Sequence, residues 1–381
     1  MALANSFHAT LSRRNWMQLS GLSMLGVAMP LACEGRPPRA LSSTRPTNAA
    51  TPAPSAMDAP DRQERQVNEA TSCPAPGTIL PIGAEVPFDA KDPAFVVDRE
   101  LFEPKRRARP GDWLERFQET GLTFDEYVAL RPTGPRGERQ VVVLQPLGAF
   151  TPTEMNELTR LAKYTESFFD RTVRIASVVA MPRNGKRSRR EGSKSWVQYH
   201  TRDVLEMLAN SLLPADAICT LGVTMADLYP ESSWNYVFGE ATLSKRVGVY
   251  SLARYGAKFW GERETPDSRR LALMRSFKVL AHEAGHMFSL VHCRRFECLM
   301  NGSNSLEEMD RAPLELCPIC LKMLTYNLRF DVRSRYRRLA EIYEQENLVE
   351  QSEWVNTRLA RLGCVAEDTA LSAEGHVSPG K

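Results

Sequence analysis

The sequence predicts an α/β (α+β) fold: a mixed, mostly parallel sheet with helices packed on it, a long histidine-bearing helix, and a four-cysteine knot after that helix. Three observations carry this expectation. Between residues 139 and 252, β-branched runs alternate with amphipathic stretches in the order strand, helix, strand, helix, strand, strand, strand, the pattern of helices laid on a sheet. From residue 267 to about 290, apolar residues recur at spacings of three and four. Hydrophobic residues make up 43% of the 381-residue chain and charged residues 25%, which excludes a wholly disordered or collagen-like chain.

Residues 1–33 read as a twin-arginine-type export signal. Ser12-Arg13-Arg14-Asn15-Trp16-Met17 precedes a mildly apolar stretch, and Leu31-Ala32-Cys33 resembles a lipobox with Pro30 where an aliphatic residue usually stands. This predicts export to a bacterial envelope or periplasm with a lipid anchor at Cys33; a cytoplasmic chain is the alternative. Residues 34–80 read as a disordered tether: positions 34–73 contain no Ile and no aromatic residue, so little apolar burial can offset the entropy of ordering. Residues 81–345 form the folded body, and 346–381 a C-terminal helix and tail.

Within the body, residues 139–147 (RQVVVLQPL) predict a strand and 153–169 a helix capped by Thr153. A strand at 173–181, a helix at 201–213 and a buried strand at 217–223 follow. Residues 235–241 and 247–252 read as paired strands at a sheet edge. The charged run 182–195, with Lys186, Arg187, Arg189 and Arg190, reads as a solvated loop, a phosphate-binding patch being the remote alternative. Leu273, Phe277, Leu280, Ala284 and Phe288 form one stripe of the long helix, and 331–362 is a final helical region.

Composition narrows the function. A net charge of +3 is too balanced for a dedicated nucleic-acid binder. No run of 18 apolar residues reads as a membrane span. Eight cysteines are too few for a disulfide-built scaffold, yet Cys293, Cys298, Cys317 and Cys320 cluster beside His282, His286 and His292, half of the six histidines.

His282-Glu283-Ala284-Gly285-His286 puts two imidazoles four residues apart on one helical face, with Glu283 beside the first. His292 follows by six residues, so the chain must turn after Leu290 to bring it back. Three neutral imidazoles and one open position make a catalytic zinc arrangement. The cysteines read C-x4-C, eighteen residues, C-x2-C, which suits a closed tetrahedral zinc; two disulfides are the competing reading, and a nucleic-acid zinc ribbon conflicts with the charge balance. Cys219 reads as a small buried residue, and nothing specifies a Cys73–Cys364 bond.

HEAGHMFSLVHC, ECLM and CPIC together resemble the archaemetzincin family, a branch of the metzincin zinc metallopeptidases. The stretches 221–256 and 301–321 are similar to the longer, animal-type members, and the likeness spans roughly residues 139–330. The resemblance implies a metzincin-like mixed sheet and an archaemetzincin-like catalytic domain over 81–345. It implies a zinc-dependent aminopeptidase or endopeptidase acting on peptide or protein substrates; the charge balance predicts no nucleic-acid partner, and a monomer is expected. His282, His286 and His292 would ligate the catalytic zinc, Glu283 would be the general base, and Cys293, Cys298, Cys317 and Cys320 would hold a second, structural zinc. Met300 would lie beneath the first zinc, and an extended peptide would pair along the strand near 236–240. A catalytically inactive, zinc-stabilised peptide-binding protein is the reading from another class. Ser289 departs from the family's glycine at the helix end, where a serine is strained by about 1 kcal/mol.

Overall fold

A computed structural model describes residues 78–191, 194–242 and 245–363. Residues 1–33, positions 34–77 of the expected tether, and the tail after 363 lie outside the described residues, as do Cys33, Cys73 and Cys364. Among the described residues no helix is long and apolar enough to cross a membrane.

The central sheet has the order β2-β1-β5-β8-β7. Its strands are β1 (Val141–Leu147), β2 (Val173–Ile175), β5 (Ala217–Thr224), β7 (Gly239–Thr242) and β8 (Val247–Ser251). All neighbours run parallel except β7, which pairs antiparallel with β8 and forms an edge. β5 (AICTLGVT) is buried along its whole length, as expected of a strand covered on both faces.

One face is covered by α3 (Pro152–Phe169) and α6 (Pro266–Met287), whose Tyr164 and Phe277 rings stack at 4.1 Å. The other face receives α4 (Thr201–Ser211), with Val204, Leu205 and Leu208 packed on Leu147, Val247 and Val249. The cap of α3 is Thr151 rather than Thr153: Thr151 and Glu154 form a reciprocal capping box with Pro152 in the first turn. The strand expected over 173–181 stops at Ile175, and only Val179 rejoins the sheet, as a bridge to Leu147.

The charged run 182–195 is a correction. It forms β3 (Lys186–Glu191), paired antiparallel with β4 (Lys194–His200), which pairs in turn with β6 (Asp227–Tyr229). Arg187 takes the place of an apolar residue on the inner face. Its guanidinium lies 3.8 Å from the Tyr229 ring centroid and donates to Gln198 Oε1 at 2.8 Å, so the strand buries the flat faces of arginines instead of aliphatic side chains.

The remaining helices are α1 (Trp113–Arg116), α2 (Phe124–Ala129), α5 (Ala257–Trp260), α7 (Leu306–Arg311), α8 (Pro318–Leu328), α9 (Val332–Gln345) and α10 (Val349–Arg361). The single region expected over 331–362 is thus two helices, separated where Asn347 takes φ +55°, a conformation asparagine tolerates well. Both hold an N-terminal strap, residues 78–133: Arg337, Arg338 and Arg358 donate to the carbonyls of Thr78, Leu80 and Ala94, and Arg333 pairs with Asp92. The strap then runs through α1 and α2 past the end of α6.

Candidate metal centre

Helix α6 begins on a Thr265–Ser268 capping box and carries His282, Glu283 and His286 in its fully buried last turns. It stops at a left-handed residue, Ser289, with φ +67°. Leu290 N donates to Gly285 O at 3.0 Å and Ser289 N to His286 O at 2.8 Å, the pair of bonds that closes a Schellman turn. The strap secures this turn: Thr133 N donates to Ser289 Oγ at 3.1 Å, and Tyr127 Oη to Phe288 O at 2.7 Å. The serine therefore occupies the strained position, and its hydroxyl gains a bond that glycine could not make.

The turn returns His292 to the helix face. His282, His286 and His292 each offer a ring nitrogen, all within 4.8 Å of one another. His282 Nδ1 donates to Leu299 O at 2.9 Å and His286 Nδ1 to Leu290 O at 2.7 Å. His292 Nδ1 meets both Glu119 oxygens at 2.9 Å. With each Nδ1 proton committed outward, each Nε2 presents a lone pair inward. The Nε2 atoms of His282 and His286 face each other at 3.0 Å, and His292 Nε2 is buried without a partner. Lone pairs so arranged repel unless a cation lies between them, so the residues fit a metal ion. Burial, then the neighbouring imidazoles, pushes His282 down to about 3 and His286 well below its ordinary value, keeping the rings in the neutral form that ligates.

Glu283 Oε1 is likewise buried without a partner, and burial followed by Glu240 raises its pKa to about 8. A Cβ on Gly239 would lie 3.0 Å from Glu283 Cγ and Cδ, so only glycine allows the edge strand β7 this close to the carboxyl group. Met300 is fully buried, and a Cβ on Gly285 would lie 2.6 Å from its Sδ. The expected methionine thus packs directly against the helix between the two histidines.

Cys293, Cys298, Cys317 and Cys320 place their four sulfurs within 4.8 Å of one another, all as free thiols. Four sulfurs converging on one point, in place of two separate pairs, favour a metal site over two disulfides. Cys317 N donates to Cys298 Sγ at 3.2 Å, and hydrogen bonds from the other three cysteines hold the Cys293 thiol well below its usual range. Four buried, convergent sulfurs fit a soft metal ion. Cys219 stands apart in β5 with its thiol raised to about 12 by burial, the behaviour of a small inert core residue.

All seven expected ligand residues are thus brought together, with Glu283 and Met300 beside them. Glu119 and Trp113 have no counterpart in the motifs: Glu119 lies 173 positions from His292, and the Trp113 ring meets His292 edge-on at 5.0 Å.

Residues 193–326 match Peptidase family M54. Archaemetzincin-2 of Rattus norvegicus is 34% identical over 281 residues, covering 67% of this chain and 78% of the relative. Archaemetzincin-2 of Homo sapiens is also 34% identical, over 283 residues with the same coverage. The chain belongs to the archaemetzincin family. It is a zinc metallopeptidase, and its sheet is mixed with helices packed on it, as expected. Among solved structures, archaemetzincin from Methanopyrus kandleri is 29% identical, covering 51% of this chain and 99% of that one with a TM-score of 0.41. The relatives overturn one expectation. The family is established by archaemetzincins of rat and human, and the exported, lipid-anchored placement drawn from residues 1–33 and Cys33 is withdrawn.

Proposed function

We propose that His282, His286 and His292 hold the catalytic zinc of this peptidase and that Glu283 is its general base. A second zinc, bound by Cys293, Cys298, Cys317 and Cys320, serves structure. The observation that supports the ligand set best is the convergence of three Nε2 lone pairs whose Nδ1 partners all lie outside the cluster.

Zinc in the histidine site supplies Lewis acidity toward a scissile carbonyl and lowers the pKa of water to about 7. Glu283 takes the proton of the attacking water and returns it to the leaving amine. Its burial leaves no competing partner for that proton, and Gly239 brings the β7 edge beside it. An extended peptide pairing along β7 would bring its scissile bond beside the histidine site and Glu283, consistent with a peptide or protein substrate.

An inactive peptide-binding protein is the weaker reading, because binding alone gives no use for a buried Glu283 whose Oε1 has no partner. The two separate in one experiment. Glu283→Gln is expected to retain zinc and lower peptide cleavage about 10²–10⁴-fold. Full cleavage by a zinc-loaded Glu283→Gln variant would remove the general-base assignment. Absence of any chelator-sensitive cleavage in the wild type would restore the binding-only reading.

A further inference from the structure

His292 differs from the other two histidines in where it stands and in what it donates to. His282 and His286 sit on a buried helix, and their Nδ1 atoms meet neutral carbonyls of Leu299 and Leu290. His292 lies beyond the Ser289 turn, outside any helix or strand, so no regular backbone fixes its ring. What faces it comes from the strap. Glu119 places both carboxylate oxygens 2.9 Å from Nδ1, and Arg294 donates to the Glu119 carbonyl. Trp113 closes the ring's other side at 5.0 Å. The strap is itself anchored here: Trp113 N donates to the Glu308 carboxylate at 3.0 Å, and a Cβ on Gly302 would meet the Trp113 ring at 2.5 Å. Gly121, at φ +69°, brings the strap's backbone against the His292 carbonyl, which would lie 3.6 Å from a Cβ there.

We propose that Glu119 is a positioning residue for the third histidine: it fixes the Nδ1–H tautomer of His292, aims Nε2 into the cluster, and raises the ring's strength as a metal donor. This rests on the ligand reading above. Glu119 lies upstream of residues 193–326, the stretch that the family model matches, and 173 positions before the histidine it faces. A carboxylate on the far nitrogen of a ligating imidazole typically accounts for 10–100-fold in metal affinity. It touches neither substrate nor metal.

The test measures zinc affinity directly on the purified full-length chain, by chelator competition, for the wild type, Glu119→Ala and Glu119→Gln. Thermal melting and the visible spectrum of the cobalt-substituted protein are recorded in parallel. Glu119→Ala is expected to weaken one zinc about 10–100-fold and leave the other unchanged. The melting midpoint should stay within a few degrees and the cobalt bands of the histidine site should shift. Glu119→Gln, which still offers Nδ1–H an amide oxygen, is expected to recover part of the affinity. Wild-type affinity at both sites in Glu119→Ala would overturn the proposal. So would equal loss of both zinc ions together with the fold, the mark of a merely structural residue. His286→Ala serves as control: if it too keeps both zinc ions, the ligand assignment itself has failed.

Discussion

The two side-chain clusters differ most in how they are closed. The cysteine quartet is drawn from 28 consecutive residues, 293–320. Its sulfurs are turned on one another, and a backbone N–H supports Cys298 Sγ. The histidine cluster relies on distant parts of the chain: a carboxylate 173 positions away, a carbonyl 17 away, and a strap that bonds the turn at Ser289. It also retains unpartnered polar atoms, Glu283 Oε1 and His292 Nε2, where the cysteine quartet presents only sulfurs to its centre. A closed four-sulfur set suits a metal that holds the fold. An open three-nitrogen set with a spare carboxyl suits one that reacts. Yet the two share a loop. Cys293 follows His292, Cys293 N donates to Met300 O at 2.7 Å, and Leu299, next to Cys298, supplies the carbonyl for His282.

The largest effect expected from this contrast is on the cysteine side. Cys298→Ser should abolish the cooperative melting transition or lower its midpoint by more than about 10 °C. A structural zinc contributes on the order of 10 kcal/mol, comparable with the entire stability of an ordinary domain. Chelator should reproduce the loss in the wild type, whereas reductant should not. Melting curves that respond to reductant and ignore chelator would mean that the cysteines stabilise by disulfides instead.

His286→Ala should invert that pattern. Peptide cleavage is expected to fall roughly a thousandfold, the equivalent of several kcal/mol of Lewis-acid stabilisation. The melting midpoint should move far less than in Cys298→Ser, since the helix cap, the strap contacts and the cysteine cluster all remain in place. If both variants unfold alike, the division between a structural and a reactive cluster collapses.

The features that were legible in the sequence are those written in short-range spacing. The HExxH pair, the cysteine spacings and the stripe on α6 all depend on periodicity, and each is placed as expected. The runs at β1 and β5 were legible because strands buried on both faces must be almost wholly apolar. The hairpin of β3 and β4 was not, because Arg187 and Arg189 fill its inner positions and charge reads as solvent exposure. The cap of α3 falls on Thr151 and not Thr153 because Glu154, three residues after Thr151, completes the capping box. Glu119 carried no local signal at all. A residue recruited across 173 positions is specified by the packing of the strap, and spacing does not encode that.

A smaller effect tests the contact between α6 and the shared loop. Gly285→Ala gains about 1 kcal/mol of helix propensity, but its Cβ would stand 2.6 Å from Met300 Sδ in a fully buried site. Overpacking of this kind costs about 1–3 kcal/mol, so a net destabilisation of about 1 kcal/mol is expected by urea titration. Combining it with Met300→Ala should remove the clash and leave only the cavity cost. If Gly285→Ala alone is stabilising, Met300 is not seated against the helix.

The smallest effect concerns Ser289, where two opposing contributions nearly cancel. A left-handed serine is strained by about 1 kcal/mol relative to glycine. Against that, Ser289 Oγ accepts from Thr133 N at 3.1 Å, a bond with a net contribution of about 0.5–1.5 kcal/mol. Ser289→Gly should therefore change stability by less than about 1 kcal/mol, because it relieves the first term and removes the second. Ser289→Ala keeps the strain and loses the bond, and should cost about 1 kcal/mol more than the glycine variant, which loses the same bond but relieves the strain. Urea titration of the two variants against the wild type reads the difference. Were Ser289→Ala as stable as the wild type, the bond from Thr133 would not be holding this turn. The turn would then rest on its own helix cap and the Tyr127 contact with Phe288 O, closer to the way the cysteine cluster rests on its own loop.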